Sequence, residues 1–154
     1  YYLMKKFLPI LVLGLLFCNA SFGDTLRVID GDTIIINEEK IRFSGIDAPE
    51  IEQTCMKDNQ KVFCGMFAKI LLVIKIGNEI PECIKKGKDV YKRTLAECFV
   101  NSESLSSFLV RNGYAFAYIK YSKKFIKDEK FAETNKLGMW SMKFKYPWDF
   151  RMGS

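Results

Sequence analysis

The sequence predicts an α+β domain, a five-stranded OB-like β-barrel with three α-helices packed on it. Three observations carry this expectation. Early in the chain, apolar and polar residues alternate in short runs broken by turn-forming pairs; from Phe63 the apolar period lengthens to a helical one; two more β-rich runs then precede two more helical stretches. At 154 residues, 49% of them apolar, the chain can bury one ordinary core and has little left for a second domain.

Residues 1–23 read as a cleaved leader rather than as part of that domain, which leaves residues 24–154 as the single folded unit. Met4 is followed by Lys5 and Lys6, then by an uncharged run from Phe7 to Cys18, then by small residues up to Gly23. The run is too short to span a bilayer comfortably, so no stable membrane association is expected after cleavage. A lipid anchor through Cys18 is the competing reading, and bulky Phe17 argues against it. The expected destination is the periplasm or the exterior, and the expected state is a monomer.

The first three strands follow. Leu26, Val28 and Ile29 lead into Asp30-Gly31, residues 34–36 lead into the turn at 37–40, and Ile41, Phe43 and Ile46 come next. Turn-formers between β-branched runs indicate an antiparallel meander. Phe63, Phe67, Ile70, Leu71 and Ile74 then keep helical spacing and predict a core-facing helix that stops near Gly77. Residues 80–85 and 94–100 are the fourth and fifth strands, joined by the Lys/Gly/Asp-rich loop 86–93. Ser102 is placed to cap a second helix carrying Leu105, Phe108 and Leu109, with Gly113 as its left-handed stop. A third, more polar helix is expected over 126–136, ending before Gly138.

With Cys18 lost in the leader, Cys55, Cys64, Cys83 and Cys98 remain, an even number that favours disulfides on an exported chain. Of the three connectivities possible, Cys55–Cys64 with Cys83–Cys98 is favoured, because the second pair sits in two segments that read as neighbouring strands. The absence of histidine and of paired CxxC spacing speaks against structural zinc. The balance of 24 Lys+Arg against 18 Asp+Glu suits an anionic partner without identifying one.

Chemistry concentrates between Val28 and Glu50. Asp30, Asp32, Asp47 and Glu50 stand at turns or strand ends, with Arg42 in the strand between them. Singly, each acid reads as a turn residue facing water. Together they form a possible site: Asp32 and Asp47 converging on one hard cation such as calcium, Glu50 as general base, and Arg42 presenting a planar charged fork to phosphate oxygens. The loop Asp89-Val90-Tyr91-Lys92-Arg93 offers a second arginine and a tyrosine at the rim, or is simply a solvated basic loop.

These residues carry a resemblance. Val28-Ile29-Asp30-Gly31-Asp32-Thr33, Ile41-Arg42-Phe43-x-Gly45-Ile46-Asp47-Ala48-Pro49-Glu50 and Asp89-x-Tyr91-x-Arg93-x-Leu95-Ala96 resemble the signature segments of thermonucleases, the staphylococcal-nuclease-like family. Leu109-Val110-Arg111-Asn112-Gly113-Tyr114-Ala115 and Lys136-Leu137-Gly138-Met139-Trp140 are similar to its later blocks, and the tail Tyr146-Pro147-Trp148-x-Phe150-Arg151 to its exported bacterial members. The resemblance implies an OB-type nuclease that binds Ca2+ and hydrolyses DNA and RNA to leave 3′-phosphates. Position by position it implies Asp32, Asp47 and the Ala48 carbonyl at the metal, Asp30 just outside it, Glu50 as base, Arg42 and Arg93 on phosphate, and Tyr91 and Tyr118 at the nucleotide. Val90 departs from the lysine that family members place there. Two rivals remain on the residues alone: an OB-like module that holds nucleic acid without cutting it, and a structural domain whose acids only pair with arginines.

Overall fold

A computed structural model describes residues 24–153, so the predicted leader lies outside the described residues. Three short antiparallel strands, β1 (Leu26–Val28), β2 (Thr33–Ile36) and β3 (Glu39–Phe43), form the expected meander, with Asn37 and Glu38 at positive φ in the tight turn between β2 and β3. β4 (Ile46–Asp47) follows a turn at Gly45, and β5 (Cys55–Lys57) pairs with β6 (Gln60–Val62) in a small hairpin. The helix α1 (Cys64–Ile76) leads to the long hairpin β7 (Glu82–Lys88) and β8 (Thr94–Val100), which meets the meander through a parallel pairing of β3 with β8. The main sheet therefore runs β1-β2-β3-β8-β7, the five predicted strands, with the two-residue β9 (Glu103–Ser104) added beside β8. Curled and flanked by helices, it makes an α+β, OB-like half-barrel.

After β9 come α2 (Leu105–Arg111), β10 (Phe116–Ala117) paired with β4, α3 (Ile126–Thr134), a 3-10 turn (Gly138–Ser141) and α4 (Pro147–Arg151). Among the described residues there are thus four α-helices rather than three; α4 is only five residues long, too short for helical periodicity to reveal. The α2 cap also differs from expectation. Ser102 lies in a left-handed turn at φ 64°, and it is Ser104 whose side chain accepts the Ser107 N–H. α3 ends at Thr134, two residues short of expectation, and Lys136 turns left-handed before Gly138.

The main core packs Ile34, Ile41, Phe43 and Ile46 against Leu72, Ile76, Ala96, Leu105 and Leu109. α1 turns most of the predicted face outward: Cys64, Gly65, Ala68, Leu72 and Ile76 are buried, whereas Phe63, Phe67, Ile70 and Ile74 are exposed and, of the residues expected to face the core, Leu71 alone packs against it. The reason is close approach. A Cβ on Gly65 would lie 1.7 Å from the Glu50 carbonyl oxygen, and one on Gly31 would lie 2.8 Å from the Ala68 Cβ, so only a face of small side chains fits here. Periodicity could not choose between the faces, since both carry apolar residues at helical spacing.

A second core gathers aromatics around Phe116, with Trp140, Phe144, Tyr146 and Trp148 all ringed about it, so the tail aromatics seal a core as their burial preference suggests. Disulfides join Cys55 to Cys64 and Cys83 to Cys98, the pairs favoured above. The first ties the β5–β6 hairpin to the start of α1, and the second crosses the β7–β8 pair at facing positions. Among the described residues no helix is long and apolar enough to cross a membrane.

Candidate active site

Strand pairing brings distant acids to one place. β2 and β3 pair Thr33 with Arg42, so Asp32, one residue ahead of β2, stands beside the point where Arg42 emerges. Its backbone is pinned there: the Asp32 carbonyl accepts the Phe43 N–H at 2.8 Å, and its own N–H donates to Asp30 Oδ1 at 3.0 Å. Gly45, at φ 79°, reverses the chain after β3, and β4 then delivers Asp47 to the same place, held opposite Phe116.

One guanidinium joins the two carboxylates. Arg42 Nη1 donates to Asp32 Oδ1 at 2.5 Å and Nη2 to Asp47 Oδ1 at 2.7 Å. Asp32 also accepts from the Thr33 hydroxyl at 3.0 Å and, through Oδ2, from the Ala48 N–H at 2.8 Å. Asp32 is 2% exposed and Asp47 0%, and ions so far from water persist only when paired. Burial pushes the Asp32 carboxyl up to about 7; Arg42 and the Ala48 N–H oppose that rise, and Asp30 and Asp47 add to it. For Arg42, burial works against its charge, but Asp32 and Asp47 outweigh it and raise its pKa, so the guanidinium stays ionised.

Glu50 is set by its turn and by what presses on it. Its N–H donates to Gln53 Oε1 at 3.3 Å, its carbonyl accepts the Gln53 N–H at 2.8 Å, and Gly65 of α1 lies against that carbonyl with no room for a side chain. Gln53 is wholly buried and donates its other amide group to the Lys145 carbonyl at 2.7 Å, which ties this turn to the tail of the chain. No local pattern in the sequence singles out Gln53 or Gly65 for this work.

The residue that sequence reasoning passed over is Arg151. It ends α4, three residues after Trp148 and hence on the same helical side. Trp148 is fixed by stacking on Tyr146 (centroids 4.6 Å apart, planes at 8°) and on Tyr118 (6.0 Å, 7°). From that anchor Arg151 spans both remaining acids: Nη1 donates to Glu50 Oε1 at 2.8 Å and to Asp47 Oδ1 at 3.2 Å, and Nη2 to Asp47 Oδ2 at 2.6 Å. The hydrogen bonds to Asp47, more than any other influence, raise its pKa further. The available signal was the aromatic tail, which hinted at a fixed helix end.

Arg93 stands apart from this cluster. Its Nε donates to Asp89 Oδ2 at 2.6 Å, and its ring neighbour is Tyr91, 5.5 Å from the guanidinium carbon. Asp89 Oδ1 accepts the N–H groups of both Tyr91 and Arg93 at 2.9 Å, closing the loop on itself. The parallel register pairs Ile41 with Thr94, so continuing it by one residue places Arg93 beside Lys40, on the face of the sheet that bears Arg42. The two arginine backbones are then about 7 Å apart along the strand direction. Tyr91 is exposed, whereas Tyr118 is half-buried and engaged with Trp148 and Tyr121.

The structure thus gathers Asp32, Arg42, Asp47, Ala48 and Glu50, sets Asp30 behind Asp32, and leaves Arg93 and Tyr91 on a neighbouring loop. Among the described residues no three acidic, cysteine or histidine side chains close on a common point, and Arg42 and Arg151 are the groups bridging the carboxylates. Two buried aspartates sharing one fork nonetheless supply hard oxygen donors side by side, the donor type a calcium-sized cation takes.

An OB-like half-barrel with an arginine–carboxylate nest at the end of its meander defines a recognisable class. Residues 40–142 match the model of the staphylococcal nuclease homologue family, and the chain belongs to that family. It is 30% identical over 139 residues to a thermonuclease of Staphylococcus hyicus, covering 83% of this chain and 80% of that protein. Identity to a micrococcal nuclease of Shigella flexneri is 28% over 150 residues, covering 86% and 81%. A Haemophilus influenzae protein named as an uncharacterized endonuclease is 26% identical over 123 residues, covering 75% of this chain. The chain spans 64% of that Haemophilus protein and 25% of a probable staphylococcal-like nuclease from rice.

Proposed function

We propose that the protein is an exported, calcium-dependent nuclease that hydrolyses phosphodiester bonds of DNA and RNA and leaves 3′-phosphate ends. The observation that carries this reading is the single Arg42 guanidinium shared by two buried aspartates, with Glu50 joined to the second of them through Arg151. Family membership and relatives named as thermonuclease, micrococcal nuclease and endonuclease support it. Two disulfides fit an oxidising compartment.

In this reading Asp32, Asp47 and the Ala48 carbonyl hold the cation, which supplies a Lewis acid that polarises the phosphate and neutralises charge on it. Asp30 fixes the Asp32 backbone from behind. Glu50 removes the proton from the attacking water, whose oxygen forms the new bond to phosphorus as the bond to the 5′-oxygen breaks. Arg42 and Arg93 face the phosphate oxygens, where negative charge accumulates in the transition state, and lower its energy. Tyr91, exposed beside Arg93, offers a ring to the nucleotide, and Tyr118 lines the same end through its stack on Trp148.

The test is to incubate the purified protein and Glu50→Gln with single-stranded DNA, duplex DNA and RNA, with calcium or with chelator, and to map the ends. Expected is calcium-dependent cleavage with 3′-phosphate ends, reduced in the variant by about 10²-fold to 10⁴-fold. Retention of nucleic acid without any cleavage would instead identify a binding module. Equal rates in the two proteins would remove Glu50 from the reaction.

A further inference from the structure

Both oxygens of Asp47 already face guanidinium groups, and the residue is 0% exposed. Its Oδ1 accepts from Arg42 Nη2 at 2.7 Å and from Arg151 Nη1 at 3.2 Å, and its Oδ2 accepts from Arg151 Nη2 at 2.6 Å. Glu50 Oε1, next to it, is held by Arg151 as well. A divalent ion that is to use Asp47 must therefore displace one of two guanidinium groups, and they are not equivalent. Arg42 is 17% exposed and belongs to β3 in the middle of the sheet, paired on one side with β2 and on the other with β8. Arg151 is 40% exposed and ends a five-residue helix that lies outside the sheet and is anchored at buried Pro147 and at Trp148, which stacks on Tyr146 and Tyr118.

We propose that Arg151 is a tethered competitor for the cation: it neutralises Asp47 and Glu50 while the cation is absent and is displaced from Asp47 when a divalent ion binds. This inference rests on the reading of Asp32 and Asp47 as cation ligands. Electrostatics requires some such device. Without Arg151, two buried aspartates and the partly exposed Glu50 would be left with Arg42 as the one bridging guanidinium, and a lone arginine cannot neutralise them all. Because Arg151 is covalently attached, it stays at high local concentration after release and competes continuously, which lowers the apparent affinity for the cation. Glu50 shares the same guanidinium, so displacement of Arg151 uncovers that carboxylate as well.

The experiment compares wild type, Arg151→Lys and Arg151→Gln as purified proteins, titrated with calcium chloride by calorimetry, with melting curves in chelator and in calcium. Removing the competitor is expected to tighten calcium binding on the order of 10-fold in Arg151→Gln. Arg151→Lys, which keeps the charge but loses the two-pronged geometry, is expected to fall between. In chelator, Arg151→Gln should melt below wild type, and calcium should raise its melting temperature by the larger amount. Equal or weaker calcium binding by Arg151→Gln overturns the competitor role and leaves the cation site standing. No calcium binding and no melting shift in any of the three proteins overturns the cation reading itself, and the competitor role with it.

Discussion

Two arginines on one face of the sheet are each clamped by aspartate, yet the clamps differ in kind. Arg42 bridges Asp32 and Asp47, partners ten and five residues away, one just ahead of β2 and one in β4, both essentially without solvent. Arg93 is held by a single aspartate four residues earlier in its own loop, where Val90 and Tyr91 are exposed. The difference teaches that of two arginines proposed to face phosphate, one can also tie the architecture together while the other is held only by its own loop, and that the two situations separate by experiment. Arg42→Leu should cost about 3–5 kcal/mol in urea unfolding, since it takes the cationic partner from buried Asp32 and leaves buried Asp47 with Arg151 alone. Arg93→Leu should cost no more than about 1 kcal/mol, because Asp89 keeps its bonds to backbone N–H groups and can turn to water. Under the proposed function, both variants should also lose nuclease activity. Equal stability losses would erase the distinction.

Which parts of this were legible beforehand follows from range. The meander, the β7–β8 hairpin and the stop of α1 at Gly77 are written in local alternation and turn chemistry, so they emerge from the sequence alone, whereas the α2 cap and the end of α3 fall two residues from where turn chemistry puts them. Asp32, Arg42 and Asp47 were also accessible, because hairpin pairing of adjacent strands fixes their proximity. The parallel joint of β3 with β8 could not be read locally, since nothing in either strand names its partner; it decides where Arg93 lies. The buried face of α1 was missed for a related reason: it was chosen by the closeness of Gly65 to Glu50, a contact between segments, and not by hydrophobicity. Arg151 escaped because its partners are more than a hundred residues away and its helix is too short to announce itself.

The β7–β8 hairpin carries the Arg93 loop at its tip and the Cys83–Cys98 bridge near its base. That bridge closes a sequence separation of 15 residues, for which constraint of the unfolded chain gives about 3 kcal/mol. Replacing both cysteines by alanine should lower stability by that order in chemical unfolding. The Arg42 nest belongs to other strands, so the calcium binding proposed for it should be unchanged once the protein is folded. Loss of calcium binding in the folded variant would show that the two regions are coupled through β8 after all.

The smallest expected effect probes the local clamp by pH. Burial favours the neutral form of Asp89, but its bonds from Arg93 and from the Arg93 and Tyr91 N–H groups overcome this and hold its pKa below the ordinary 3.8. A lowered folded-state pKa means the folded chain releases this proton more readily than the unfolded one. Its stabilising contribution is therefore complete above the unfolded value and is lost as pH falls through the folded one. Asp89→Asn should accordingly melt slightly below wild type at pH 5 to 7, with the gap closing below pH 4. Because the clamp is local and partly hydrated, the gap should be a small fraction of that produced by Arg42→Leu. A gap that widens as the solution is acidified would mean that Asp89 holds the loop in its protonated form, and the contrast between the two arginine sites would need a different cause.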